Sequence, residues 1–195
     1  MDRERTILDT AAALFYEKGF HGVSVDELGQ RAGLSGPTLY RYFSSKDEIL
    51  AALFNEAMDE LISATATVHD DPGQDLGRLV RHHVGYAVNR RQLINVYQRE
   101  DRSLVDPWRR HFSRRRTNYV ARWEAVVARC VPAASPAEVS AVTQSILGLI
   151  FSIAYWPPKT AGLPGLADLI VGFASEGLSS LESPVIHDPA TAPAT

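Results

Sequence analysis

Apolar residues recur every three to four positions along almost the whole chain, as in Ile7, Ala11, Leu14 and Phe15, and no window of useful length alternates with period two. The pattern predicts an all-α protein. The one strand-like patch, Val23-Ser24-Val25, is too short to build a sheet. Stop and start signals divide the chain into about nine helices. The first spans residues 2–18 and stops at Gly19. Ser24 with Glu27 reads as a capping box opening a short helix to Ala32, Gly33-Leu34-Ser35 as a tight turn, and the residues to Phe43 as a third short helix. Ser45 with Glu48 opens a long helix from Lys46 towards Val68, ended by the loop His69-Asp70-Asp71-Pro72-Gly73. Further helices are expected over 74–89 and 91–102, then from Asp106-Pro107 to Cys130, from Ser135 to Trp156, and from Pro164 to Leu181. The Pro-, Ala- and Thr-rich residues 183–195 have almost nothing to bury and are expected to be disordered.

Composition narrows the class. The chain has 195 residues, 45% hydrophobic and 22% charged, enough for a real core. Its single cysteine, Cys130, cannot close an internal disulfide or build a Cys-based zinc site. The longest apolar run, residues 146–156, is roughly half of the ~20 residues a membrane span needs, and the charged Met1-Asp2-Arg3-Glu4-Arg5 is unlike a signal peptide. A cytoplasmic protein with no membrane partner is expected. The net charge of −3 hides a strong segregation. Residues 51–77 carry 6 acids and no Lys or Arg, whereas residues 78–122 carry 12 Arg against 3 acids.

The two short helices around Gly33 have the proportions of a helix-turn-helix, whose second helix lies in the DNA major groove. Small residues at its first turn, Ser35, Gly36, Pro37 and Thr38, let the backbone come close to a groove. With Leu34, Leu39 and Phe43 assigned inward, Thr38, Tyr40, Arg41 and Tyr42 point outward as donors. Ser24 and Lys46 start two neighbouring helices, whose N-terminal amides suit phosphate. On the residues alone, a second reading stands beside this one: the aromatic positions are ordinary core of a helical domain.

Residues Ile7 to Leu53 carry a wider pattern. Phe15-Tyr16-Glu17-Lys18-Gly19-Phe20, Ser24-Val25-Asp26-Glu27-Leu28, Ala32-Gly33-Leu34-Ser35 and Thr38-Leu39-Tyr40-Arg41-Tyr42-Phe43-Ser44-Ser45-Lys46-Asp47-Glu48-Ile49-Leu50 together resemble the N-terminal DNA-binding domain of TetR-type transcriptional regulators. The resemblance implies that Pro37, Thr38, Tyr40, Arg41 and Tyr42 touch operator DNA, that Lys46 grips phosphate, and that Ser24 is the small hydroxyl residue on the backbone. It also implies a two-fold homodimer, a helical body that takes a small-molecule effector, and a division into a helix-turn-helix domain at 1–47 and a ligand-binding and dimerisation domain at 48–182. One departure is that residues 1–50 carry 6 bases and 8 acids, where DNA-binding domains tend to be basic.

The body must be read from its own residues. Between Asp106 and Cys130, Trp108, Phe112, Tyr119 and Trp123 form one apolar helical stripe, with Arg115 inside it. A guanidinium on a buried face needs an anion, either an internal carboxylate or a ligand. Two readings follow for the arginine-rich 99–122 segment: it neutralises the acidic 51–77 segment, or it rims a pocket holding an apolar chain, with phosphates at the arginines. Acyl-coenzyme A esters fit the second, and Tyr97-Gln98-Arg99-Glu100 through Tyr119 and Trp123 is similar to TetR-type regulators of lipid and acyl-CoA catabolism. Val142, Ile146, Ile150 and Ile153, with Leu169 and Phe173, offer a dimer face that also reads as internal core.

No hydrolase elbow, phosphate-cradling loop or spaced metal ligands occur; His82 and His83 are adjacent and point to different helix faces. The expectation is a regulator and not an enzyme, with no cofactor and no metal, most simply a repressor released by its effector. The alternative is a helical interaction module using its 99–122 arginines.

Overall fold

A computed structural model describes residues 3–66 and 69–182, and among them every regular element is helical. The helices are α1 (Arg3–Lys18), α2 (Val25–Arg31), α3 (Gly36–Leu39), α4 (Lys46–Ser63), α5 (Pro72–Asn89), α6 (Arg91–Glu100), α7 (Trp108–Cys130), α8 (Pro136–Ser152), α9 (Pro158–Ala161) and α10 (Leu166–Glu182). The expected nine helices become ten because Pro157-Pro158 does not simply stop a helix: Pro158 sits in the first turn of α9, which has only 4 residues. The expected disordered tail and Asp2 lie outside the described residues, as does Val68; α4 ends earlier, at Ser63.

Side-chain caps start most of the elements. Ser24 Oγ accepts from Glu27 N at 3.1 Å, Ser45 Oγ from Glu48 N at 3.1 Å, and Ser135 with Glu138 completes a reciprocal capping box. Two of the expected boxes are only half formed, because Glu27 pairs with Lys18 and Glu48 reaches back to Ser44 N and Oγ, both at 2.6 Å. Asp106 does not cap α7; its carboxylate takes Arg110 Nε at 3.0 Å and Arg109 Nη2 at 3.4 Å.

α1, α2, α3 and the start of α4 close around Leu14, Phe15, Leu28, Leu39, Phe43 and Ile49, all buried. In the body, α5 runs between α7, α8 and α10, and α4 packs on α7. Pro136–Tyr155, 20 residues, is long and apolar enough to cross a membrane by length and composition alone. Here Val139, Thr143, Ile146, Leu147 and Ile150 of α8 are buried inside the protein.

Asp75 and His83 are buried ionisable groups on α5. Asp75 is fully buried at the first turn, and burial alone would raise its pKa. Instead it is held at about 2 by the His69 ring (Nδ1, 2.6 Å), the His69 N–H and Arg129 Nη1 (2.8 Å). Arg129 also donates to the His69 carbonyl at 2.6 Å, so this cluster fastens the loop before α5 onto α7. His83, fully buried between Tyr119 and Trp123, is pushed down to about 4 by desolvation, although its Nδ1 contacts the Leu79 carbonyl at 2.6 Å.

Acid unfolding should therefore proceed in two steps. His83 is neutral in the fold and protonates more readily when unfolded, so stability falls as pH drops from its ordinary value near 6.5 to about 4. Asp75 contributes above its ordinary value near 3.8, and that contribution is lost as pH falls towards about 2. Urea midpoints measured against pH should lose the upper step in His83→Leu and the lower step in Asp75→Asn, the latter costing about 2 kcal/mol at neutral pH.

Candidate functional site

The turn between α2 and α3 is made by Gly33 at φ 68°, a left-handed conformation that a side chain would strain. Ser35 caps α3 through Thr38 N at 3.4 Å and holds the Thr38 hydroxyl at 2.8 Å. Helical geometry proper ends at Leu39 and the chain continues in turns to Phe43, because Leu39 and Phe43 are both drawn into the core. That anchoring turns the opposite face outward. Tyr40 and Tyr42 are 53% and 41% exposed, Pro37 and Arg41 are exposed, and Gly36 and Thr38 are half-buried. Ser24 is exposed at the start of α2. Of the aromatic positions in this stretch, the competing core reading holds for Phe43, packed inward with Leu39, and not for Tyr40 and Tyr42.

Lys46 departs from expectation. Its ammonium donates to the carbonyls of Phe20 (2.8 Å) and Val23 (2.7 Å) and lies over the Phe20 ring at 4.4 Å. The carbonyls of the α1–α2 turn hold the half-buried side chain there.

The α1–α2 turn is also gripped from the body. Arg99 Nη2 donates to the Phe15 and Tyr16 carbonyls at 2.8 and 3.0 Å, satisfying the last turn of α1. Glu100 accepts from Phe20 N at 3.1 Å, beside Gly19 at φ 75°. Ser103 bridges Glu100 (3.0 Å) and His21 (3.3 Å). Sequence reasoning placed Arg99 on a pocket rim and assigned Glu100 no role; the sequence signal was the pair of charges following an apolar helical stripe.

The preceding turns of α6 face a cavity of about 610 Å³, within the range of small-molecule sites. Its walls come from α4 (Phe54, Ala57, Met58, Leu61), α6 (Leu93, Ile94, Tyr97, Gln98), α7 (Phe112, Arg116, Tyr119, Val120) and α8 (Leu147, Gly148), with Tyr86 from α5. Phe54, Tyr97 and Phe112 form a triangle of rings with centroids 5.4, 5.5 and 5.7 Å apart, joining α4, α6 and α7 at one point. The α4 residues were not anticipated, since an apolar i, i+4, i+7 row reads equally as core.

Of the expected ligand residues, Tyr97, Phe112 and Tyr119 border the cavity, whereas Trp108, Arg115 and Trp123 do not. Trp123 is fully buried against His83, and Trp108 is half-buried elsewhere on α7. Arg115 meets the internal carboxylate of Asp59 and Asn55 Oδ1 at 3.1 Å, so its charge is answered within the chain. Other arginines are likewise engaged: Arg90 with Glu60, Arg78 and Arg129 with Asp75, Arg122 with Thr65. The neutralising reading of the basic segment holds for part of it, since Arg115, Arg90 and Arg78 meet Asp59, Glu60 and Asp75 of the acidic stretch, whereas Arg99 bonds to carbonyls and Arg109 and Arg110 pair with Asp106; among its arginines on α7 Arg116 alone borders the cavity. His83 is neither surface nor cavity wall but core, and no cluster of three or more metal-ligating side chains occurs among the described residues.

On the far side, the expected dimer residues separate. Ile146, Ile150 and Ile153 are buried within the chain because this face of α8 packs against the rest of the body; Val142 is half-buried. Leu169 and Phe173 of α10 are 50% and 64% exposed, beside exposed Gly172 and Gly177, which leave room for close helix approach.

Residues 7–53 match the family described as "Bacterial regulatory proteins, tetR family", and residues 69–159 match "Tetracyclin repressor-like, C-terminal domain". The chain is 39% identical over 62 residues to the HTH-type transcriptional activator FasR of Mycolicibacterium smegmatis, covering 32% of this chain and 28% of that protein. It is 38% identical over 56 residues to the fatty acid metabolism regulator protein of Bacillus subtilis, 29% of each. The matched stretches thus span under a third of these relatives. The solved structure of AibR in complex with isovaleryl coenzyme A and operator DNA superposes with a TM-score of 0.75 at 25% identity, over 88% of this chain and 97% of that one.

Arg115→Ala should lower the thermal midpoint by a few degrees, through its lost pair with Asp59, while leaving the affinity of a fluorescent apolar probe for the cavity unchanged. A weakened probe affinity would return Arg115 to the ligand site.

Proposed function

The chain belongs to the TetR family of bacterial regulatory proteins, and on that premise we propose that it is a cytoplasmic, homodimeric transcriptional regulator whose hold on operator DNA is changed by a small-molecule effector. The observation that carries this reading is the exposed surface of Pro37, Thr38, Tyr40, Arg41 and Tyr42, backed by buried Leu39 and Phe43 and tied through α6 to an apolar cavity. Residues 1–47 act as the reading head and 48–182 as the effector and dimer body. Gly36, Pro37 and Thr38 approach the bases, Arg41 donates to a base edge or phosphate, and Ser24 and the start of α4 hold the backbone.

The effector we propose is apolar with an anionic group, an acyl-coenzyme A or a related fatty acyl compound. The aromatic triangle and the aliphatic wall of α4 and α8 suit an acyl chain, and the complex of AibR with isovaleryl coenzyme A supports that class. A ligand that displaces Tyr97 acts on α4 and α6 together, and α6 ends in the Arg99 and Glu100 bonds to the head. Repression, relieved when the effector binds, is the simplest sign of the switch; differential affinity for two head arrangements is all that it requires. The second copy docks on the Leu169 and Phe173 face, setting two heads about 34–36 Å apart on one side of the duplex.

An interaction module built on the 99–122 arginines is the weaker alternative, because Arg99, Arg109, Arg110, Arg115 and Arg122 already have partners within the chain.

Footprinting of the protein on DNA upstream of its own coding sequence should show one protected palindromic site. Tyr40→Ala and Arg41→Ala should each weaken that binding by about 1–3 kcal/mol without moving the thermal midpoint, since both side chains are exposed. Because the head is net acidic, affinity should fall with salt less steeply than for ~10 phosphate contacts. Phe173→Glu should give monomers in light scattering and lose operator binding with them.

A further inference from the structure

We propose that the charged end of an anionic amphipathic effector binds not at the arginine-rich outer face of α7 but in a second, polar groove where α1, α4 and the first turn of α6 meet, reached from the apolar cavity past Tyr86. The inference rests on the effector reading above and locates its polar half.

This groove, of about 420 Å³, is lined by Arg5, Asp9, Glu56, Glu60, Arg90 and Arg91 among others. It shares a wall with the apolar cavity, since Ala57, Tyr86 and Leu93 border both. An apolar chamber and a charged one separated by three side chains match a molecule with two unlike ends.

Tyr86 stands at that partition with its hydroxyl buried and without a partner, in a residue only 5% exposed. A buried phenol lacking a hydrogen bond carries a cost that an incoming acceptor removes. Burial first, then the carboxylate of Glu60, push its pKa up, while Arg90 opposes them and Glu56 adds to the rise; Tyr86, Glu56, Glu60 and Arg90 all line the groove.

The groove also contains the N-terminus of α6, a helix of 10 residues with no side-chain cap. The first amide to bond back is Ile94 N, to the Arg90 carbonyl at 3.0 Å, which leaves the earlier first-turn amides without an intrahelical acceptor. Arg90 occupies the cap position and is held only by Glu60 at 3.6 Å, with both side chains about 40% exposed. Arg91 and Arg5 are bound more firmly, Arg91 to the Ala154 and Trp156 carbonyls and Arg5 to Asp9 and Glu56.

An uncapped helix start, a loosely held guanidinium and a donor hydroxyl select a carboxylate or phosphate over a cation. Of the acids of the groove, Asp9 and Glu56 are both held by Arg5, and the bond of Glu60 to Arg90, long and part-exposed, is the one the anion replaces. Glu60 lies one turn from Glu56 on α4, and Glu56 holds Arg5 of α1. The anion thus enters the row of ion pairs that joins α4 to the head.

The test is calorimetric titration of the full chain with dodecanoate, dodecyl phosphate, methyl dodecanoate and dodecyltrimethylammonium. Arg90→Gln should weaken both anions about ten-fold and leave the ester unchanged, Arg90→Lys should recover most of the loss, and Tyr86→Phe should weaken the anions in a chain whose fold is intact. Arg116→Gln on the outer wall should change nothing, and the tighter of the two anions identifies the head group. Loss of anion binding in Arg116→Gln in place of Arg90→Gln overturns the groove, as does the cation binding as tightly as dodecanoate. Ester and anions binding equally, with no response to Arg90, sinks the groove but keeps the effector cavity. If none of the four binds, the effector class falls and the groove with it.

Discussion

The fold depends on how the end of one short helix closes another. At the end of α1 the Phe15 carbonyl accepts from Gly19 N at 3.0 Å and again from Arg99, which also donates to the Tyr16 carbonyl, while Glu100 accepts the N–H of Phe20 just beyond. Docking on α6 thus gives the Tyr16 carbonyl and the Phe20 amide partners that α1 does not supply. The same α6 forms a cavity wall with Leu93, Ile94 and Tyr97. Ten residues therefore connect the chamber to the end of α1 without any intervening loop.

Charge and apolarity are divided between two jobs in this chain. The apolar cavity is bounded by helices α4, α6, α7 and α8, each contributing a few side chains, so no single element owns it. The ion pairs run around its outside: Asp59 with Arg115, Glu60 with Arg90, Asp75 with Arg129 and Arg78. Part of the charge segregated along the sequence meets in space: Asp59 and Glu60 of α4 pair with Arg115 of α7 and with Arg90 at the end of α5. The exposed pairs add little stability individually, unlike the buried Asp75 cluster, and together they fix which helices are neighbours.

Much of the fold was legible because the helical period and its punctuation are local. Ser24, Gly33, Ser45 and Ser135 mark boundaries through their own backbone geometry, and the structure keeps those boundaries. The outward face of the recognition helix was legible for a related reason: assigning Leu39 and Phe43 inward fixes where Tyr40 and Arg41 go. The partners were less legible. Whether Arg115 meets a ligand or Asp59, and whether Ile146 faces a second copy or α5 and α7, depends on which helix lies opposite, which no single stripe specifies. Lys46 is a further case, since nothing in its own stretch of sequence marks the Phe20 and Val23 carbonyls as the partners of its ammonium. One-turn α9 was missed because proline signals both an end and a beginning.

The inward lysine has a mechanical consequence. By bonding to Phe20 and Val23, Lys46 welds the start of α4 to the bend between the first two helices, and Glu48 pins the adjoining Ser44. The three-helix unit is thus a solid block with α4 as its handle. A displacement of the start of α4 is therefore passed directly to the bend between α1 and α2 through side-chain bonds, with no loop between to absorb it.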